Sequence, residues 1–259
     1  MKNTFLIRVY GDSLGMPREA EGISCASTYP ELVRDELERV HPEWRVSVFN
    51  RSRGGISIRE QFEQFVVDTP YFGSDPNAIL IVQCGIVDCA PRPLPPSVRE
   101  RLARMPKPVI WLVAKVLHYL RPWLLCLGFR WRQTDEEQFR AVLEQWLSRA
   151  QRAVGRVYVI TIAPTTDFTA AHSPGLRSSI EAYNRLIRDV VESAASTAVR
   201  LIDVHAAING MGGNIAQFIN ERDGHHITES GHRLYARLIA EQVDTGAAGN
   251  VSVPGRAIS

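Results

Sequence analysis

Apolar, β-branched runs alternate along the chain with stretches in which apolar residues recur every three or four positions. The runs predict strands at Phe5–Tyr10, Arg45–Phe49, Ala78–Cys84, Arg156–Ile162 and Val199–Val204. The helical period predicts helices at Tyr29–Val40, Ile58–Asp68, Asp135–Ala153, Ser178–Ser193 and Glu229–Val243. In the first helix Leu32, Val33, Leu37 and Val40 make the apolar stripe. In the last, Leu234, Leu238 and Val243 line a face and Thr228 stands at the N-cap position. Strands that alternate with helices imply right-handed crossovers and a parallel sheet covered on both faces, an α/β fold. No internal repeat is visible.

The pattern breaks between Pro91 and Arg132. The segment opens "PRPLPP" and runs on through "VIWLVAKVLHYLRPWLLCLGFRW". Val109 to Phe129 is long enough to cross a bilayer, but Lys115, His118 and Arg121-Pro122 lie in its middle and make a true span costly. A helical insertion broken at Pro122 is the expectation. It carries nine basic residues, Arg92, Arg99, Arg101, Arg104, Lys107, Lys115, Arg121, Arg130 and Arg132, against one acid, Glu100, with Trp111, Tyr119, Trp123, Phe129 and Trp131 interleaved. Three roles fit it: a lid packed over the active site, a dimer surface, or contact with a membrane surface (through 109–129) or an anionic polymer. Residues 1–243 then form one domain with 91–132 inserted, and the Gly-, Ala- and Ser-rich 244–259 reads as a disordered tail.

Composition is that of an ordinary globular protein, and a formal charge of +2 over 259 residues predicts no general attraction to nucleic acid. Four cysteines (Cys25, Cys84, Cys89, Cys126) are too few for a disulfide framework and lack zinc-ligand spacing, so buried, reduced thiols are expected. Phe5–Tyr10 is shorter than a secretory signal and no A-x-A-like site follows it, which favours a cytoplasmic protein.

Candidate chemistry sits at the two ends. Gly11-Asp12-Ser13-Leu14-Gly15 fits G-x-S-x-G, the nucleophile elbow of α/β-hydrolases, but that elbow follows a mid-sheet strand with an oxyanion loop upstream. Here Ser13 can only end the first strand. Near the other end, Asp223-Gly224-His225-His226 places an acid three residues before a histidine. Such an acid can reach Nδ1 of that ring, fix its tautomer and leave Nε2 free for a serine. In an open parallel sheet both ends fall at the carboxyl edge, where such folds place their sites.

With these residues the chain resembles the SGNH/GDSL hydrolase family. "GDSL" at Gly11–Leu14 matches the nucleophile block, and "DGHHITESGHRLYA" from Asp223 the closing Asp-x-x-His block. "NRSRGG" at Asn50–Gly55 is similar to the glycine block, and "CGIVD" at Cys84–Asp88 stands where the family has Gly-x-Asn-Asp. The blocks run in order from residue 4 to about 243. The resemblance implies a flavodoxin-like three-layer α/β/α sandwich with a five-stranded parallel sheet in the order 2-1-3-4-5. It implies Ser13 as nucleophile and oxyanion donor, Gly55 as second donor (Gly54 its rival), His226 as general base, Asp223 as its orienter, and Asp12 as a brace for the turn. One block departs: Val87 stands where the family's Asn supplies a third oxyanion donor, and Asn50, Arg53, Gln83 or a residue of the insertion are the candidates to replace it. Asn50 is a candidate for substrate positioning, Asp88 is either structural or substrate-positioning, and Arg53 is either a surface charge or a substrate-positioning residue at the mouth of the site. His225 is expected to point away from the site, and His232 to lie on the exposed face of the last helix. The resemblance implies a serine esterase, acting on O-acetyl or other short acyl groups of a carbohydrate, that needs no metal or cofactor. An O-acyltransferase acting on a glycan and a degraded hydrolase that only binds are the alternatives.

Overall fold

The structure, a computed structural model, describes residues 3–212, 214–221 and 223–248. Its centre is a five-stranded, all-parallel sheet of β1 (Asn3–Tyr10), β2 (Trp44–Asn50), β3 (Asp75–Gln83), β4 (Val154–Ile160) and β5 (Val199–Ile202), in the order β2-β1-β3-β4-β5. The helices are α1 (Tyr29–Val40), α2 (Ile58–Phe72), α3 (Ile86–Cys89), α4 (Pro96–Ala103), α5 (Lys107–Cys126), α6 (Glu136–Ala153), α7 (Asp167–His172), α8 (Leu176–Ser193), α9 (Val204–Gly210) and α10 (Glu229–Ala248). Both faces of the sheet are buried, which is why the strands read as continuous apolar runs. Leu80, Val82, Val157 and Val159 point into a core closed by α2, α6 and α8. Their alternates Ile79, Ile81, Tyr158 and Ile160 point into a second core closed by α1, α9 and α10. The three-layer sandwich and its strand order are those expected.

Several boundaries move, each for a local reason. β5 stops at Ile202 because Asp203 caps α9, accepting from the Ala206 N–H at 3.0 Å, so Val204 opens a helix. Thr228 caps α10 through the Gly231 N–H at 3.2 Å. That helix runs to Ala248, so the first five residues of the expected tail are helical, and 249–259 lie outside the described residues. Of the cysteines, Cys84 and Cys89 are buried, whereas Cys25 and Cys126 are exposed; all four are free thiols.

The insertion is helical, but it does not break at Pro122. α5 continues through that residue and bends by 57° between Lys107–Leu117 and Tyr119–Cys126, one turn earlier. Proline has no N–H to give the carbonyl four residues before it, and its ring presses on that carbonyl, so the bend falls upstream. No single helix among the described residues is long and apolar enough to cross a membrane, although the bent pair passes the same test together.

Of the two roles expected for Asp88, the structure shows the structural one. The residue is fully buried, both carboxylate oxygens face the N–H of Ile58 at 3.1–3.2 Å, and one accepts from Thr134 Oγ1 at 2.5 Å. It thereby ties the start of α2, already held by the Ser57–Glu60 capping box, to the chain leading into α6. Burial pushes its carboxyl up from 3.8 to about 6, against the pull of these hydrogen bonds. A raised carboxyl stabilises the fold while protonated; that contribution is whole below the unfolded value and is lost as pH rises through the folded one. Asp88→Asn should therefore gain on wild type by on the order of 3 kcal/mol between about pH 4 and pH 6.5. Chemical denaturation across that range tests this, and a stability gap that does not change with pH would contradict it.

Candidate active site

The Ser13 loop begins where β1 ends. Asp12 is fully buried beneath it: Oδ1 accepts from the Leu14 N–H at 2.9 Å and Oδ2 from Gln83 Nε2 at 2.9 Å, while the Asp12 N–H donates to Gln83 Oε1 at 3.1 Å. The last residue of β3 thus grips the loop from below. Burial pushes the Asp12 carboxyl up, and the Leu14 and Gln83 bonds oppose the shift. The chain after β2 holds the loop from the side: Asn50 Nδ2 donates to the Gly15 carbonyl at 2.8 Å, Asn50 Oδ1 accepts from the Ser52 N–H at 3.0 Å, and the Arg53 N–H donates to the Gly11 carbonyl at 3.0 Å. Asn50 is therefore engaged in shaping the loop, whereas the exposed Arg53 side chain has no hydrogen-bond or ionic partner among the described residues. Gly55 has φ +72°, a conformation that suits glycine, and a Cβ there would meet only open space. A Cβ built on Gly54 would stand 4.0 Å from Ser13 Cβ.

The histidine comes from the turn before α10. Asp223 Oδ1 accepts from the backbone N–H groups of His225 (3.1 Å) and His226 (2.9 Å), which curls the turn so that the His226 ring faces back. His226 Nδ1 then lies 2.7 Å from Asp223 Oδ2, and Nε2 lies 2.8 Å from Ser13 Oγ. A hydroxyl near one end of the chain and an imidazole 213 positions later are joined in one half-buried relay. His225 is turned aside, its Nδ1 2.8 Å from the Asp223 carbonyl oxygen. Asp223, His225 and His226 offer ligand atoms within 4.8 Å of one another and could hold a metal ion, but the hydrogen bonds of the relay already occupy every one of their ring nitrogens except Nε2 of His225.

Gly224 makes the turn possible. It has φ +67°, and a Cβ there would fall 1.9 Å from Thr169 Oγ1 and 2.3 Å from Thr169 Cβ. Gly224→Ala should push the turn off α7, destabilise the fold by about 1–3 kcal/mol and cut kcat by at least about 10²-fold through misplacement of His226. Thermal melts with initial rates test this; unchanged turnover would show that the turn tolerates the shift.

Two features escaped the sequence. Arg18 Nη2 lies 3.3 Å from Asp223 Oδ2, a charge beside the relay's acid that no spacing announces. His232 is not exposed as expected: it is 1 % exposed, accepts the Tyr29 N–H on Nδ1 at 3.0 Å, and is pushed down to about 4 by burial and by Arg18. It is a neutral cap on α1. Beside the Asp223 turn lies a cavity of about 680 Å³ between α7 and the 214–221 segment, lined by Thr166, Asp167, Phe168, Asn214, Ile215, Ala216 and Glu221.

Ser13, His226 and Asp223 are hydrogen-bonded in line at the carboxyl edge of a 2-1-3-4-5 parallel sheet in a three-layer α/β protein. The profile of the GDSL-like lipase/acylhydrolase family matches residues 9–234; the chain belongs to this family and is an ester-hydrolysing enzyme. Solved structures of the same fold include a lipase/acylhydrolase from Enterococcus faecalis (14 % identity, TM-score 0.61, covering 95 % of this chain and 96 % of that one). Another is Axe2, an acetylxylan esterase from Geobacillus stearothermophilus (17 %, 0.60, 93 % and 94 %). A third is a member of the lipolytic G-D-S-L family from Veillonella parvula (14 %, 0.57, 92 % and 97 %). At these identities the likeness is one of fold. Comparison with curated protein sequences gives no match.

Proposed function

We propose that the protein is a serine esterase that removes short acyl groups, O-acetyl above all, from a carbohydrate. His226 Nε2 takes the proton of Ser13 as Oγ attacks the ester carbonyl. The backbone N–H groups of Ser13 and Gly55 hold the oxyanion. The intermediate collapses, and the proton on His226 passes to the departing alkoxide. Water, deprotonated by His226, then attacks the acyl-enzyme and frees the acid and Ser13. Asp223 keeps the ring in the useful tautomer and offsets the charge of the imidazolium. The observation that carries this reading is the 2.8 Å contact of Ser13 Oγ with a ring whose other nitrogen is held by Asp223.

A missing oxyanion donor costs about 2.7–4 kcal/mol of transition-state stabilisation. Val87 supplies none, and Gln83 and Asn50 are already bonded to the Ser13 loop, which leaves Arg53, exposed and unpartnered among the described residues, or a residue of the insertion to take that place. A sugar as the alcohol part is favoured by the cavity beside the Asp223 turn, where Thr166, Asp167, Asn214 and Glu221 offer hydrogen bonds and Phe168 an aromatic face. The acetylxylan esterase of the same fold points the same way.

Acetate release from acetylated xylooligosaccharides, beside a nitrophenyl ester series of rising chain length, tests the reading. Release of acetate, with kcat/KM falling as the acyl chain lengthens, is expected; preference for long chains would contradict it. Acyl transfer to an added glycan in place of water would instead select the O-acyltransferase.

A further inference from the structure

The insertion carries two features the esterase chemistry does not use. The first is an uncovered apolar face on α5: Val109, Leu112, Val116, Leu120 and Trp123 recur at helical spacing and all stay exposed, Trp123 at 73 %. Trp111 flanks them with its ring under the Lys115 ammonium, 5.0 Å away. The second lies on the other side of the helix, a cavity of about 500 Å³ between α4 and α5 whose walls include Leu102, Ile110, Val113 and Leu117. Arg92, Arg99 and Arg121 also line it.

Asp88 acts on Arg92 and Glu100 on Arg99 only at a distance, and no carboxylate is paired directly with any of the three guanidiniums among the described residues. Arg92 donates to the Val87 carbonyl (3.1 Å), Arg99 to Gln133 Oε1 (2.7 Å), and Arg121 to the Pro91 carbonyl and Ser173 Oγ (3.1 Å each). Among the described residues none of the three forms a salt bridge, and Nε of Arg92 and of Arg121 is buried without a hydrogen-bond partner. Burial, and then the repulsion of Arg99 and Arg121, pushes Arg92 down to about 10. A half-buried cluster of like charges against an aliphatic wall is the complement of an anion that carries a hydrocarbon chain.

We propose that the α4–α5 hairpin docks on an anionic phospholipid bilayer. Arg92, Arg99 and Arg121 take the phosphate of one lipid, the first methylenes of its chains enter the cavity, and the exposed face of α5 lies in the interface. The nine-to-one excess of basic over acidic residues between 91 and 132 supplies long-range attraction to such a surface. Four of the five positions of the exposed face are aliphatic, and the only hydrogen-bonding group among the five is the indole N–H of Trp123, a residue that suits the boundary between acyl chains and headgroups. The proposal does not depend on Ser13.

The test is flotation of the full chain with vesicles of phosphatidylcholine alone and of phosphatidylcholine with phosphatidylglycerol, with tryptophan emission as a second readout. Binding to the anionic vesicles only, weakened by salt and accompanied by a blue shift, is expected. Arg99→Gln with Arg121→Gln should weaken it about 25-fold, at about fivefold for each charge. Because Arg121 also ties the insertion to its base, the surface pair Leu112→Ser with Trp123→Ser is made as well; it should lose binding while keeping the wild-type melting temperature. Equal binding to both vesicles, no binding to either, or wild-type binding by the surface pair would overturn the proposal. So would capture of dodecyl phosphate or of an anionic polysaccharide by a protein that ignores vesicles.

Discussion

Replacing Ser13 by alanine should lower kcat/KM on a short-chain ester by more than about 10⁴-fold and towards 10⁶-fold, because it removes the hydroxyl that faces His226 Nε2. The loss should be chemical and not structural. The loop is held by bonds that do not involve the hydroxyl: Asp12 to Leu14 and Gln83, Asn50 to Gly15, and Arg53 to Gly11. The hydroxyl itself is only half-buried, so stability should stay within about 1 kcal/mol of wild type. Initial rates and thermal melts on the same preparation check both halves. A stable variant with activity within about tenfold of wild type would mean that another group attacks.

Asp223→Asn should cost about 10⁴-fold in kcat with little change in KM. The asparagine oxygen can still accept the His225 and His226 N–H groups, so the turn keeps its shape. What changes is the proton on the ring. An amide N–H facing Nδ1 puts the imidazole proton on Nε2, against Ser13 Oγ, where a base is needed. The partner charge for the imidazolium is lost too, and Arg18 is left beside a neutral group. Steady-state kinetics with near-UV circular dichroism test this. A folded variant that loses less than about tenfold would show that His226 takes its orientation from elsewhere.

The layers and the ends of the site were legible because they rest on periodicity and on local spacing. Leu80 and Ile81 each reach a core, and that double burial writes an apolar run into β3. Asp223 and His226 meet within one turn, and the strand order carries Ser13 to them. What stayed hidden depends on partners far apart in sequence. His232 is polar and looks like a solvent-facing position until the Tyr29 N–H, 203 residues away, claims its ring nitrogen. Asp88 keeps its place in the third block, but only the fold reveals that Ile58 and Thr134 use up its carboxylate. The bend in α5 was assigned to the proline itself, although the lost hydrogen bond belongs to the turn before it. Arg18 follows Ser13 in sequence, yet nothing in that spacing ties it to Asp223.

The central claim is that Ser13 attacks with His226 as its base, and covalent capture reads this most directly. The protein is incubated with a fluorophosphonate, whose fluoride a serine oxygen displaces, and the adduct is located by peptide mass mapping. The account predicts one adduct on Ser13 that is absent from Ser13→Ala and strongly slowed in His226→Asn. A folded, ester-cleaving protein that takes up no label at Ser13, or takes it up as fast without His226, would contradict it.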